Sequence, residues 1–374
     1  ENGGVEMDNI SIIEVFISGR RIGRMALTPE GMCGFEYDAD WIQTGFSISP
    51  FYLPLKSGLI MAKRDPFGGN FGVFDDSLPD GWGNLLLNRY LQERGIDPYK
   101  LNILERLSLI GSTGRGALEY YPDKSVVTDA EYLNFDSLAK EVAKILESKE
   151  SKGSVDLLYK YGGSSGGARP KVFTKVDGRE WLVKFKATND PVDVGEIEYN
   201  YSLLARDCGI RMAETRLFDN RYFGVERFDR VPQGKIHTVS AAGLLHANYR
   251  IPSLDYSILL KLTLNLTKDM EQVAEMFRLM VFNVLISNRD DHAKNLSFQW
   301  ADGAWKLSPA YDLLPSNGFN GYHTTTINGK GEPALADVIA LAAEIGLSKQ
   351  YATQTIEELT EKCVAKKMVK FRLR

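Results

Sequence analysis

The sequence predicts an α+β fold, with a β-rich N-terminal half and an α-rich C-terminal half. Short apolar runs separated by glycine-containing turns occupy much of the first half, and this pattern is typical of strands. Apolar residues in the second half recur at helical spacing, most clearly over residues 270–287. With 374 residues, the chain is long enough to form two or three domains.

Elements of the N-terminal half follow from these patterns. Residues 14–27 form two apolar runs about a glycine turn and are expected to make a hairpin, and residues 41–53 supply further β-type sequence. A turn cluster at residues 74–83 leads into a helix that ends near Gly95. Residues 107–121 combine three glycines with apolar residues, which predicts a loop followed by a strand.

The middle of the chain alternates, and the C-terminal part becomes helical. We predict helices over residues 136–152 and 196–208, and strands over residues 172–185 and 215–228. From residue 253 onward the pattern is helical almost throughout. One helix is expected over residues 335–345 and a last helix over residues 349–365, with Ser348 as its N-cap. The C-terminal lobe is therefore predicted to be all-α.

Composition excludes several classes of protein. The formal net charge of −4 argues against broad nonspecific binding of nucleic acid. The three cysteines lie far apart with no CxxC pair, which excludes a disulfide framework, favours a reducing compartment and predicts a cytoplasmic protein. No apolar run approaches the ~18 residues of a membrane span, and no signal peptide is expected at the N-terminus.

The most informative segment is the hexapeptide Asp290–Asn295, which is followed at a distance by Asp312. Phosphoryl transfer from a nucleotide needs a carboxylate that orients the attacking hydroxyl, and an amide oxygen and a second carboxylate that hold Mg²⁺ on the phosphates. Asp290, Asn295 and Asp312 fit these roles in this order. A polar surface loop is the alternative interpretation, and a transition-metal site at Asp291 and His292 lacks further His or Cys partners.

A glycine-rich segment over residues 162–171 precedes a predicted strand. Its glycines, Gly166 and Gly167 among them, would let backbone N–H groups approach phosphate oxygens, although a flexible linker has the same composition. Lys184, late in the strand that follows, could reach the α- and β-phosphates. Lys186 is a competing candidate, and many strand lysines simply face solvent.

Two further segments complete a possible nucleotide site. Glu198, on the next helix, could pair with the strand lysine, and Glu196 is a nearby alternative. The run Glu226-Arg227-Phe228 ends a strand where the two halves meet, so its backbone could bind a purine and Phe228 could pack against it. A solvated surface charge cluster is an equally simple interpretation of that run.

The order of these features is that of a bilobal protein kinase: glycine loop, strand lysine, helical glutamate, linker strand, Asp-x4-Asn and a late aspartate. The sequence therefore predicts a bilobal protein-kinase-like fold that uses ATP and Mg²⁺. We expect an N-terminal subdomain over residues 1–125, a nucleotide-binding lobe over residues 126–252 and a helical catalytic lobe over residues 253–374.

The chain resembles the HipA family of bacterial serine/threonine kinases, which are the toxin halves of toxin–antitoxin pairs. The segments that carry the resemblance are residues 74–82, 114–118, 164–171, 225–230, 290–295 and 309–314. It implies that Asp290 is the catalytic base, that Asn295 and Asp312 hold Mg²⁺, and that Lys184 contacts the phosphates of ATP.

The resemblance also implies a regulatory serine. Ser164 falls where family members autophosphorylate, an event that expels the loop and silences the kinase, and Ser165 is a second candidate. Adenine would lie against Glu226 and Phe228. The other ATP contacts expected are Ser165, Gly166, Gly167, Ala168, Arg227 and His292.

The partners that the resemblance implies are a HipB-like helix-turn-helix antitoxin and a protein substrate, such as an aminoacyl-tRNA synthetase or a translation factor, whose phosphorylation arrests growth and produces persistence. DNA would be contacted only through the antitoxin, and no membrane is expected to bind. Two alternatives stay open. The first is a non-catalytic nucleotide-binding scaffold for a DNA-binding antitoxin. The second is a kinase for a lipid or small molecule, since the motif Asp-Asp-His-x-x-Asn is closer to that of phosphoinositide-type kinases.

Overall fold

The computed structural model describes residues 9–126, 133–147, 153–318 and 320–368. The extreme N-terminus, where no signal peptide is expected, and residues 148–152 of the helix predicted over residues 136–152 lie outside this described part. The chain forms two compact units. The first comprises residues 1–196, 215–239 and 243–246, and the second comprises residues 197–214, 240–242 and 247–374. The division into three domains stays a prediction.

The first unit begins with an antiparallel sheet in the order β4-β3-β2-β1-β5. Its strands are β1 (Ile12–Ile17), β2 (Arg20–Leu27), β3 (Cys33–Tyr37), β4 (Ile60–Met61) and β5 (Leu118–Tyr121). Alternate residues of β1 are buried, namely Ile13, Val15 and Ile17, as the period of a strand requires. The hairpin predicted over residues 14–27 is confirmed.

Six helices accompany this sheet in the described part of the first unit. They are α1 (Ala39–Thr44), α2 (Gly72–Asp75), α3 (Gly81–Gln92), α4 (Ile103–Ile110), α5 (Phe135–Glu147) and α6 (Ser154–Gly162). Helix α3 buries Trp82, Leu86, Leu87 and Tyr90 on one side and confirms the helix expected after the turn cluster. Helix α5 confirms the described part of the helix predicted over residues 136–152, and α6 was not predicted.

In this unit the prediction for residues 41–53 is wrong, and the prediction for residues 107–121 is right only for the loop and strand β5 that follow α4. Residues 41–53 are not strands: Trp41 lies in α1, its indole is buried, and Nε1 donates to the carbonyl of Phe46 at 2.9 Å. Burial of this one large ring outweighs the β propensity of the segment. The segment 107–121 likewise begins inside α4, which starts at a capping box formed by Asn102 and Glu105.

A second antiparallel sheet, in the order β6-β7-β9-β8, completes the first unit. Its strands are β6 (Lys171–Val176), β7 (Arg179–Lys184), β8 (Thr215–Phe218) and β9 (Tyr222–Glu226), and a short ribbon of β10 (Arg230–Val231) and β11 (Gly234–Lys235) follows. Val172, Trp181 and Val183 of this sheet share one apolar core with Leu86 of α3 and Leu158 of α6. The predicted strands at residues 172–185 and 215–228 are confirmed.

Three elements contain residues of both units: α7 (Val194–Asp207), β12 (His237–Ser240) and α8 (Ala241–Leu245). Helix α7 confirms the helix predicted over residues 196–208.

The second unit is mostly helical in its described part. Its helices are α9 (Tyr256–Thr267), α10 (Met270–Leu285), α11 (Leu335–Glu344) and α12 (Lys349–Ala365), with a short 3-10 helix at Ala293–Asn295. Its strands are β13 (Leu254–Asp255), β14 (Ser297–Ala301), β15 (Ala304–Leu307) and β16 (Thr325–Thr326). The hydroxyl of Ser348 accepts a hydrogen bond from the Tyr351 N–H at 3.1 Å, which confirms the predicted N-cap.

The prediction of an all-α C-terminal lobe is wrong. Strands β14 and β15 form an antiparallel hairpin in which Trp300 lies opposite Trp305. The turn is Asp302-Gly303, and both residues have positive φ, at 53° and 75°. That turn matches the right-handed twist of a two-residue hairpin loop. Among the helices that the structure describes, none has the length and apolar character needed to cross a membrane.

Candidate active site

The predicted catalytic loop begins where α10 ends. The helix stops at Leu285, and Ser287 turns the chain with a φ of 57°. The two adjacent carboxylates of the loop then have opposite surroundings: the Asp290 side chain is 63% exposed, whereas Asp291 is only 2% exposed. Only Asp290 is therefore available to a substrate hydroxyl.

Asp291 anchors the loop. Its Oδ1 accepts hydrogen bonds from the backbone N–H groups of Thr324 and Thr325 at 3.0 and 3.2 Å. Its Oδ2 accepts one from the Tyr256 hydroxyl at 3.0 Å and lies 2.9 Å from His323 Nδ1. A carboxylate this fully occupied is a structural support, and it fixes the backbone from which Asp290 projects.

Asn288 connects the catalytic loop to Asp312. Its amide nitrogen donates to Asn283 Oδ1 at 3.0 Å and to the carbonyl oxygen of Asp312 at 3.2 Å. Asp312 itself has a φ of 55°, in the left-handed region that residues other than glycine seldom occupy. Backbone strain of this kind concentrates at functional sites, where the surrounding structure holds it in place.

Asn295 is tied to the same loop. Its Nδ2 donates to the backbone carbonyl of Asp290 at 2.7 Å. Next to it, His292 accepts a hydrogen bond on Nδ1 from the Lys294 N–H, and its Nε2 lies 3.8 Å from Asp290 Oδ1. Within the second unit, hydrogen bonds therefore tie Asn295 to Asp290, and tie Asp312 to Asn288, which precedes Asp290 on the same loop.

The donor set of this assembly fits Mg²⁺. A carboxylate and an amide oxygen are hard oxygen ligands, and Mg²⁺ is usually held by one or two protein carboxylates while phosphates and water complete its shell. The described residues contain no group of three or more His, Cys, Asp and Glu side chains that could hold a metal by themselves. The hydrogen bonds that occupy the Asp291 carboxylate favour a structural role for this residue over that of a metal ligand.

A cavity of about 270 Å³ opens beside the exposed carboxylate. Its lining combines the catalytic loop with the segment after α8: Tyr249, Arg250, Ile251, Pro252, Asp290, His292, Gly318 and Thr324. The cavity gives a second molecule access to Asp290.

The predicted phosphate loop lies in the first unit, between α6 and β6. Ser165 is buried and its hydroxyl donates to the Gly162 carbonyl at 2.6 Å, whereas Ser164 is half-buried and donates to the Thr113 carbonyl at 3.1 Å. Gly166, Gly167 and Ala168 are exposed. The exposed part of the loop is thus the part predicted to face phosphates.

The start of α3 holds this loop in place. The Trp82 N–H donates to the Gly167 carbonyl at 3.0 Å, and the Asp80 carboxylate accepts from the Gly167 N–H. A Cβ on Gly83 would lie 2.2 Å from the Ser165 carbonyl oxygen, so this close approach requires glycine. Sequence reasoning assigned these residues no role, although they lie in the turn cluster at residues 74–83 that carries part of the family resemblance.

Two lysines face the same side of the sheet next to the loop. Lys171 of β6 lies directly opposite Lys184 of β7, so their side chains project from one face. The buried Lys171 ammonium donates to the Gly166 carbonyl within the loop. Like charges directly opposite each other destabilise a strand pair, and an anion bound between them would remove that cost. Lys186 is exposed beyond the end of β7, which favours Lys184 over its competitor.

Burial also separates the two candidate glutamates of α7. Glu198 is 4% exposed, whereas Glu196 is exposed to solvent. A buried carboxylate requires a partner, as the predicted ion pair supposes. The pairing of Glu198 with Lys184 stays a prediction.

The run Glu226-Arg227-Phe228 at the end of β9 includes one partly exposed ion pair and part of a buried charge network. Glu226 forms an ion pair with Arg179 at 3.3 Å. Arg227 stacks on Phe173 at 4.4 Å and contacts the buried Asp229 at 3.0 Å. Burial alone would raise the pKa of Asp229, but the guanidinium of Arg227 and that of the next arginine hold it well below its usual value. Arg227 therefore supports the linker, and contacts of Glu226, Arg227, Phe228 and His292 with ATP stay predictions.

Comparison with known proteins connects both halves of the chain to one family. The model of the HipA N-terminal domain matches residues 13–121, and that of the HipA-like C-terminal domain matches residues 163–367. "Putative kinase Y4dM" of Sinorhizobium fredii (strain NBRC 101917 / NGR234) is 25% identical over 95% of this chain and 91% of its own length. Toxin YjjJ of Escherichia coli (strain K12) is 28% identical over 41% of this chain and 38% of its own length.

A solved structure has the same fold. HipA of Shewanella oneidensis MR-1, determined in a complex with HipB and operator DNA, superposes with a TM-score of 0.69 at 18% identity, covering 94% of this chain and 91% of that chain. The predicted α+β, kinase-like fold is confirmed. Since the two family models match both halves of the sequence, and the C-terminal match alone spans more than half of it, the protein belongs to the HipA family.

Proposed function

We propose that this protein is an ATP- and Mg²⁺-dependent serine/threonine protein kinase that acts as a growth-arresting toxin. The observation that supports this most directly is that hydrogen bonds join Asn295 to Asp290, and Asp312 to Asn288 on the same loop. Relatives named as a toxin and as "Putative kinase" proteins agree with this proposal.

The chemistry assigns one task to each of these residues. The acceptor oxygen of a serine or threonine forms a bond to the γ-phosphorus, the bond from that phosphorus to the β–γ bridging oxygen breaks, and ADP leaves. Asp290, the exposed carboxylate, orients the hydroxyl and takes its proton. Asn295 and Asp312 would hold Mg²⁺, which neutralises charge on the phosphates when bound.

The loop serine provides an off-switch in this proposal, and Ser164 is the better candidate. Ser165 is buried, whereas Ser164 is half-buried and lines a cavity of about 620 Å³. Lys175, Arg230 and Lys235 line the same cavity, so a phosphoserine there would find cations nearby. The modified loop would then no longer be free to hold ATP.

The partners proposed are a helix-turn-helix antitoxin, which would make the contact with DNA, and a protein substrate of the translation machinery acting in the cytoplasm. The structure of the Shewanella relative was determined with HipB and operator DNA, which supports the first of these.

Labelled ATP tests the proposal. Wild-type protein with γ-labelled ATP and Mg²⁺ should label Ser164, and Asp290→Asn should abolish both labelling and growth arrest. Asp302→Asn is a matched control, because Asp302 is also an exposed carboxylate of the second unit and asparagine tolerates its positive φ. Binding of ATP without any transfer would instead support the non-catalytic scaffold, and full labelling by Asp290→Asn would exclude the mechanism.

A further inference from the structure

The segment Tyr249–Pro252 lines the cavity that contains Asp290. Arg250, Ile251 and Pro252 are exposed, and the Ile251 side chain is 55% exposed. At about 270 Å³ the cavity lies below the roughly 300–1,000 Å³ typical of small-molecule sites. A space of this size beside the proposed base suits one side chain of a protein substrate better than a whole nucleotide.

Two cationic side chains lie against Tyr249, which lines the cavity. The Arg250 guanidinium lies 4.9 Å from the centroid of the Tyr249 ring, and the Lys294 ammonium lies 4.2 Å from it. Asp290 is the single carboxylate among the described lining residues. Glu332 is already paired with Arg289 at 3.5 Å. The charge around the opening therefore complements an anionic group.

Arg250 is well placed to recognise a carboxylate. It forms no ion pair with any residue that the structure describes, and its guanidinium lies over the Tyr249 ring. A cation–π contact of this kind occupies none of the N–H donors of the guanidinium fork, which can make bidentate contact with a carboxylate. The ring also restricts the arginine, so less side-chain freedom is lost when a ligand binds.

We propose that the segment Tyr249–Pro252 docks the protein substrate, and that Arg250 selects an acidic residue close to the serine or threonine that is phosphorylated. The substrate class is thus a protein segment with Asp or Glu beside its acceptor hydroxyl. This inference rests on the proposed kinase function. Because Arg250 would bind substrate and transition state alike, its loss raises the KM for peptide and leaves kcat nearly unchanged.

Two degenerate peptide mixtures test the proposal. Both contain a central serine or threonine, flanked in one mixture by Asp and Glu and in the other by Lys and Arg, and each is incubated with the protein, γ-labelled ATP and Mg²⁺. Wild-type protein should phosphorylate the acidic mixture with a kcat/KM about tenfold higher, the size expected for one charge-assisted hydrogen-bonded pair. Arg250→Glu should reverse the preference.

The control is Lys349→Glu, which makes the same kind of charge reversal at the first residue of α12, outside the cavity lining. It should keep the wild-type preference. Equal use of both mixtures by the wild type, or an unchanged preference in Arg250→Glu, would overturn the proposal. Autophosphorylation in the same tube separates the two hypotheses: its absence defeats the kinase assignment, whereas its presence without peptide labelling defeats only the docking site.

Discussion

Replacing Asp291 by alanine should destabilise the second unit by about 3–5 kcal/mol, the cost typical of removing one partner from a buried charged network. The side chain is 2% exposed and accepts hydrogen bonds from the N–H groups of Thr324 and Thr325 and from the Tyr256 hydroxyl. The Thr324 N–H keeps a second acceptor, the Arg289 carbonyl at 3.1 Å, but the Thr325 N–H and the Tyr256 hydroxyl lose theirs. Each buried donor left without an acceptor costs about 1–3 kcal/mol, so these two give a loss of about 2–6 kcal/mol. The two estimates agree.

Asparagine at the same position should cost less, about 1–3 kcal/mol. Its Oδ1 can still accept from Thr324 and Thr325, but an NH₂ group replaces the oxygen that accepts from Tyr256. The Tyr256 hydroxyl already accepts a hydrogen bond from Asn283 Nδ2 at 3.1 Å, so its own proton points toward residue 291 and would meet another donor. Asp291→Asn should fold, yet lose at least about tenfold in phosphoryl transfer, since small displacements of a catalytic group are costly.

Urea unfolding followed by far-UV circular dichroism and by tryptophan fluorescence measures these losses, and Trp300 and Trp305 report on the second unit. Asp302→Asn is the control, because Asp302 is 84% exposed and asparagine tolerates its φ of 53°, so stability should change by no more than about 0.5 kcal/mol. If Asp291→Ala unfolds within that same margin of the wild type, Asp291 does not anchor the loop and the reasoning fails.

Two other predictions concern the first unit. Gly83→Ala should destabilise this unit by about 1–3 kcal/mol in thermal unfolding, because the new Cβ would lie 2.2 Å from the Ser165 carbonyl oxygen, although alanine normally favours a helix. Gly166→Ala is the control and should be tolerated, since its Cβ has a nearest contact at 3.4 Å. Equal stabilities of the two variants would contradict the close packing at Gly83. Burial lowers the pKa of His237 to about 4, and its Nε2 donates to the Ile48 carbonyl. Since the unfolded imidazole titrates near ~6.5, the unfolded state binds more protons below that pH, so stability falls as pH drops from about 6.5 toward 4, by up to ~3 kcal/mol. Urea unfolding at pH ~7.5 and ~5 should show a smaller loss in His237→Gln, and an identical loss would refute this role.

Sequence patterns predicted those helices and strands in which the periodicity of apolar residues agrees with the packing in the structure. Strand β1 alternates and α12 carries its own N-cap at Ser348, so both elements could be read directly from the chain. The β14–β15 hairpin also carried a local signal, the Asp302-Gly303 turn between short apolar runs, but the surrounding helical pattern hid it. Helix α1 had no such signal, because the burial of Trp41 is a tertiary event.

The candidate site divides in the same way. Asp290, Asn295 and Asp312 could be named from the sequence because phosphoryl transfer restricts residue type and order. The supports could not: Asn288, Thr324 and Tyr256 act through hydrogen bonds between segments far apart in sequence, and their residue types are ordinary. The sequence could not distinguish Lys184 from Lys186 as the phosphate-binding lysine. The structure distinguishes them, because β7 ends at Lys184 and Lys186 is exposed beyond it.

In the candidate catalytic loop, backbone atoms maintain the structure and the Asp290 side chain is left for the chemistry. Side chains fix three backbone carbonyls in and next to the loop. The Thr324 hydroxyl donates to Arg289 at 2.9 Å, Asn295 to Asp290 at 2.7 Å, and Asn288 to Asp312 at 3.2 Å. Main-chain atoms thus hold the geometry, and the Asp290 carboxylate projects into solvent. Substitutions of Asp290 should therefore remove chemistry with little loss of stability, whereas substitutions of Asn288 or Thr324 should reduce both. Asn295 belongs to both groups in the proposed kinase, because its amide nitrogen supports Asp290 and its amide oxygen would bind Mg²⁺.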